Sequence, residues 1–138
     1  MRHHLVLRVV AKLLIPVILL YGLYVQFHGD YGPGGGFQAG VIFAAGIILY
    51  GLIFGLPNAQ KAVPPGVVKI LIASGVLLYA AVGVVGMLRG GEFLNYSVLA
   101  HDPIHGQHLG ILLIEFGVGT TVAGAMMTIF FIFAGWRR

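Results

Sequence analysis

Four apolar stretches, each about long enough to cross a bilayer, leave this chain few folds to choose from. They cover about residues 5–27, 37–55, 67–88 and 109–134. A helix spans the hydrocarbon core, roughly 30 Å thick, in about 20 residues. Inside that core no water satisfies exposed N–H and C=O groups, so a spanning segment bonds to itself as a helix. The β-branched run VIFAAGIIL in the second stretch would favour a strand in water. In lipid its length decides for helix. The connections are short: residues 28–36, residues 56–66, broken by Pro57 and the pair Pro64–Pro65, and residue 89 to about residue 108. The expectation is an all-α membrane protein, residues 1–138 forming one unit of four transmembrane helices with no soluble domain.

Composition agrees. The chain is 59% hydrophobic and 9% charged, where a soluble domain carries about 25% charge. Its net charge of +4 could suggest nucleic acid, but the basic residues stand singly or in pairs at the edges of apolar runs. Membrane topology accounts for them better. Arg2, Arg8, Lys12, Lys61, Lys69, Arg137 and Arg138 fall on the side of the termini and the second connection, and Arg89 falls alone on the other. By the positive-inside rule both termini face the cytoplasm. The first stretch follows basic residues, as a signal peptide does. It is too long for one, and His28, Gly29 and Asp30 follow it in place of a small-residue cleavage site. Cysteine is absent, which removes disulfides, thiolate metal sites and iron–sulfur ligation from this chain.

The run HGDYGPGGGFQAG at residues 28–40 raises the question of a phosphate-binding loop. It lacks the Lys-Ser/Thr ending of a P-loop, follows no strand, and faces away from the cytoplasm where nucleotides are. Nucleotide binding is set aside. Two readings remain. Gly29, Gly32 and Pro33 suit a sharp reversal, while Gly34, Gly35, Gly36 and Gly40 let helices approach closely, with GxxxG spacing from Gly36 to Gly40. Alternatively, non-helical backbone around Gly34–Gly36 lines a polar vestibule.

Glu115, in LGILLIEFGVGTTVAGAMM, is the acid that stands within an apolar stretch. A carboxyl group in hydrocarbon is costly unless paired, protonated or wetted, so intramembrane acids point first to ion or proton handling. A packed or hydrogen-bonded glutamate is the plainer reading. Asp102-Pro103 is a good helix start, Asp as N-cap and Pro at the first helical position. From there His105, His108, Leu112 and Glu115 share one helix face. That would form a line of titratable groups running into the membrane. The same histidines could simply be solvated. A metal site on His105 and His108, with His101 nearby, has no acidic third ligand at a persuasive spacing. Asp30 and His28 flank the glycine run and could attract a cation or cap a turn. Arg8, Lys12 and Lys69 can snorkel to an interface, with Lys12 the deepest and hence a further pathway candidate. With one intramembrane acid, no inverted repeat and flat glycine-rich helices, the chain reads as one subunit of a larger complex.

The blocks GPGGGFQAGVIFAAG and GILLIEFGVGTTVAGAMMTIFF, with four spanning segments around them, resemble the MnhB family, small membrane subunits of the Mrp-type multisubunit cation/proton antiporters. The resemblance covers nearly the whole chain. It places the family's glycine motif on Gly34, Gly35, Gly36, Phe37 and Gly40, and its helix-four acid on Glu115. It implies a multi-pass subunit of a prokaryotic plasma membrane that works with large antiporter-like subunits and small helical ones. It implies further that the assembly exports Na⁺ in exchange for H⁺, with these ions transported rather than held as cofactors and with no catalytic constellation in this chain. MnhB-like subunits also occur in archaeal membrane-bound hydrogenase complexes. The resemblance therefore implies, as alternatives, a membrane arm of such a redox complex or a purely structural assembly subunit.

Overall fold

A computed structural model describes residues 4–136. Arg2, Arg137 and Arg138, used above for topology, lie outside the described residues. The elements are α1 (Leu5–His28), α2 (Gly36–Phe54), α3 (Leu56–Ala62), α4 (Pro65–Leu88), a 3₁₀ turn (Tyr96–Val98) and α5 (Pro103–Gly135). Four of them, α1, α2, α4 and α5, are long and apolar enough to cross a membrane. No strand occurs among the described residues. α1 continues through Pro16, as transmembrane helices can when neighbours and small backbone adjustments re-satisfy the freed groups.

The spanning helices lie in a row, α1–α2–α5–α4, with α2 and α5 central. Glycines set their spacing. Gly22 of α1 faces Ala39 and Phe43 of α2, and Gly46 of α2 faces Leu19 of α1, so this pair is antiparallel. On the other side of α2, Gly36 meets the Glu115 carbonyl, Gly40 meets the Gly119 carbonyl and Val122, and Gly51 meets Phe130. Those partners advance together, so α2 and α5 run parallel, both descending from the same end. α4 packs antiparallel on α5 through Gly75 against Gly117, and through Gly124 against Val68 and Ile72. In lipid, burial from water does not drive helices together. Close van der Waals contact does, and small residues permit it. At the opposite end Ala44, Ile47, Ala59, Val68, Ala123, Met127 and Phe131 form a buried cluster.

Two connections differ from the sequence expectation. Residues 56–66 are not an irregular link, since α3 occupies most of them. Pro57 sits in its first turn, where a missing N–H costs nothing. Gly55 at φ +96° makes the corner before it, and Ala59 is sealed against Gly51. The last helix begins at Pro103 rather than near residue 109, with Asp102 accepting a 3.1 Å hydrogen bond from the Ile104 N–H. Its 33 residues span about 50 Å, well beyond the core thickness.

Gly36 and Gly66 give opposite expectations on substitution. A Cβ at Gly36 would overlap the Glu115 carbonyl oxygen, whereas nothing lies within 4 Å of one at Gly66. Gly36→Ala should lower stability by about 1–3 kcal/mol. Gly66→Ala should raise it by roughly 0.5–1 kcal/mol. Thermal unfolding of the two variants in detergent checks both signs.

Candidate functional site

The polar groups collect where α1 ends, α2 begins and α5 enters. The first connection is a tight hairpin. Tyr31 and Gly32 donate to the His28 carbonyl at 3.0 and 3.1 Å, and Gly35 donates to the Val25 carbonyl at 3.2 Å. Gly35, at φ +114°, turns the chain into α2. This left-handed conformation suits glycine.

The hairpin carries Asp30 to α5. The Asp30 carboxylate hydrogen-bonds the His108 Nδ1, joining residues 78 apart in sequence. Asp30 is largely covered and His108 half-exposed. Two turns further along α5 the Glu115 carboxylate lies against the backbone of the same hairpin. It fills the space where Gly29 would carry a Cβ, and its Oε1 is 3.0 Å from the Cβ position of Gly35. Any side chain at Gly29 would collide with the carboxylate. The glycines thus serve an acid as well as a turn.

The remaining sequence candidates sit elsewhere. His105 pairs with its own helix cap Asp102 at 3.0 Å and stays in solvent, so it does not join His108. Phe37 is exposed at the head of α2. Gly34 backs onto the Val25 carbonyl, within 2.9 Å of its Cβ position. Lys12 is exposed on α1, about 25 Å along the helix from Gly29, and does not belong to this group. Its neighbour Arg8 lies over the Phe54 ring, 5.4 Å from the centroid, a favourable cation–π geometry. No cluster of three metal-ligating side chains forms among the described residues.

One residue carries no signal of this kind in the sequence. Gln26 on α1 is 6% exposed, and its Nε2 has no hydrogen-bond partner among the described residues. Its Oε1 packs over Gly119, one turn below Glu115. The only hint is an amide inside an apolar stretch, which usually finds a partner.

The third connection packs onto the first turns of α5. Gly106 and Gly110 of α5 admit the Tyr96 carbonyl and ring. Gln107 donates to the Ser97 hydroxyl at 2.8 Å, and Arg89 donates to the Leu99 carbonyl at 3.1 Å. Burial, and then the nearby Tyr79, push the Tyr96 phenol above its ordinary value of 10.0.

This arrangement describes a class: a small helical membrane subunit whose helices pack through glycine and hold one acid against a glycine hairpin. Similarity to known proteins gives the family. The family described as "Domain related to MnhB subunit of Na+/H+ antiporter" matches residues 6–128. Relatives named "Putative antiporter subunit mnhB2" from Staphylococcus haemolyticus (strain JCSC1435) and Staphylococcus aureus (strain Newman) are 35% and 36% identical to the chain. Each alignment covers 135 residues, 96% of this chain and 95% of the relative. The chain belongs to the MnhB family of antiporter subunits, as its glycine and IEFGVG blocks imply.

The Tyr96 shift sets a pH expectation. The folded state favours the neutral phenol, so that stabilisation is complete below pH 10.0 and is lost as pH rises through the elevated value. Docking of the third connection should loosen in that alkaline window, and Tyr96→Phe should remove this part of the pH dependence. Hydrogen exchange of residues 96–98 against pH measures it.

Proposed function

We propose that this chain is a membrane subunit of a multisubunit antiporter that exports Na⁺ in exchange for H⁺, with Glu115 as its proton or cation relay. The observation that carries the reading is the position of the Glu115 carboxylate. It rests on hairpin backbone, below the Asp30–His108 pair, with no side-chain hydrogen bond among the described residues. A carboxyl group kept at the head of a spanning helix without a fixed partner is available to exchange a proton for a cation.

The division of labour follows from position. His108 is half-exposed and reaches water. Its imidazole is hydrogen-bonded to the Asp30 carboxylate, which leads from the exposed ring towards the hairpin. Glu115 lies seven residues below, about 10 Å of helix rise, so the step between them runs along Asp30 and bridging water. The other antiporter subunits would cover the apolar face of α1 that carries Leu13, Val17, Leu20 and Tyr24. In a prokaryotic plasma membrane, with both termini cytoplasmic, the hairpin opens outward and takes protons from the external side.

Glu115→Gln keeps the shape of the side chain and removes its charge and exchangeable proton. In everted vesicles holding the assembled complex, Na⁺-driven pH change should fall at least about tenfold, at equal complex yield. Undiminished exchange at equal yield would remove the relay role from Glu115.

A further inference from the structure

All four spanning helices line a cavity of about 200 Å³ that is open to one side. Leu23 of α1, Phe43 of α2, Leu71 of α4, and Phe116 and Met127 of α5 form much of its wall. The wall is almost wholly apolar. The Gln26 nitrogen is sealed from solvent, and the Thr120 hydroxyl donates to the Phe116 and Gly117 carbonyls at 3.0 Å. Every lining residue belongs to a helix long and apolar enough to cross a membrane. Leu23 also borders a shallow groove along α1, formed with Leu20, Tyr24, Phe27 and His28. There the Tyr24 and His28 rings stack, centroids 5.2 Å apart, at the hairpin end of the helix.

We propose that the cavity is an acyl-chain site: one chain of a phospholipid from the leaflet on the hairpin side passes Leu23 into it, with the headgroup at Tyr24 and His28. An apolar cavity of about 150 Å³ stays dry in a protein interior and takes up an apolar guest the size of benzene. This one is larger and opens within the depth of the membrane, where the surrounding medium is hydrocarbon chain. Left empty, its wall would forfeit its dispersion contacts on one side. A neighbouring helix, about 10 Å across, is too wide to enter. It could offer only a single side chain, which would have no polar end to place on α1. A phospholipid has both parts. Its chain suits the wall, and its phosphate and ester oxygens suit the Tyr24 hydroxyl and a ring N–H of His28. Tyrosines at a helix end favour this interfacial level, where an apolar ring meets a wet polar tip. The site stands on membrane depth, shape and polarity, and it does not depend on ion exchange at Glu115.

Electron cryo-microscopy of the assembled complex tests this, in nanodiscs of phosphatidylglycerol and phosphatidylethanolamine whose chains are dibrominated at mid-length. Bromine scatters strongly and marks the chain. In the unmodified complex, bromine density should lie between Phe43 and Met127, with headgroup density against Tyr24 and His28. Ala123 lines the cavity and is 5% exposed. Ala123→Phe places a ring in the space and should lower the cavity bromine signal several-fold relative to the lipids around the complex. If Ala123→Phe does not assemble, Leu23→Trp crowds the shared edge from the exposed side and should lower it likewise. A cavity that is empty in the unmodified complex would overturn the proposal. So would one filled by a neighbouring subunit's side chain, a chain entering from the opposite leaflet, or a bromine signal that the assembled variant leaves unchanged. The density reports lipid and not transport, so its absence leaves the relay role of Glu115 standing, and undiminished exchange in Glu115→Gln leaves the chain site standing.

Discussion

The contact of α2 with α5 at Gly36 and Gly40 is the constraint on which the other features depend. At both positions a backbone carbonyl of α5 occupies the space a side chain would need. In lipid such approach supplies the dispersion and packing energy that holds helices together. It also sets the register of the two central helices. Glu115 is thereby aligned with the first residue of α2 and, through the hairpin, with the last turn of α1. A bulkier α2 would move the acid away from Gly29 and Gly35 and separate Asp30 from His108.

Glycine thus has two roles here that are hard to tell apart in the sequence. At Gly40, Gly75 and Gly117 it lets helix backbones meet. At Gly29 and Gly35 it clears room for a carboxylate, with Gly35 also making a left-handed corner. The outcome is an acid laid against the backbone of the hairpin at Gly29 and Gly35. It sits below a histidine–aspartate pair that remains partly in water and above an amide that borders an apolar cavity. Four side chains on two helices and one hairpin thus lie in order from the half-exposed His108 to the buried Gln26.

Much of the architecture is legible in the sequence because the relevant signals are local. The lengths of the apolar runs mark the four spanning helices, and Asp102-Pro103 marks the start of α5. The differences have local causes as well. Pro57 and the prolines at 64 and 65 suggest an irregular connection, yet Pro57 occupies the one part of a helix that needs no N–H from it, so α3 forms there. His105 shares a helix face with His108, but its nearest acid is its own cap, and the two histidines take different partners. Gln26 does not stand out, because an isolated amide in an apolar run has no pattern around it.

By itself the sequence determined that the chain is helical, that four of its runs are long and apolar enough to cross a membrane, and that Glu115 lies inside one of them. Hydropathy, run length and capping act over a few residues, and lipid allows no competing backbone solution. Only the tertiary structure decided that Asp30 meets His108, that Gly29 and Gly35 receive the Glu115 carboxylate, that Lys12 stands apart and that Gln26 is buried. Those outcomes depend on which helix faces which, and at what register. Contacts between residues far apart in the chain settle both, and α2, α4 and α5 each carry several glycines at which a neighbour could have packed.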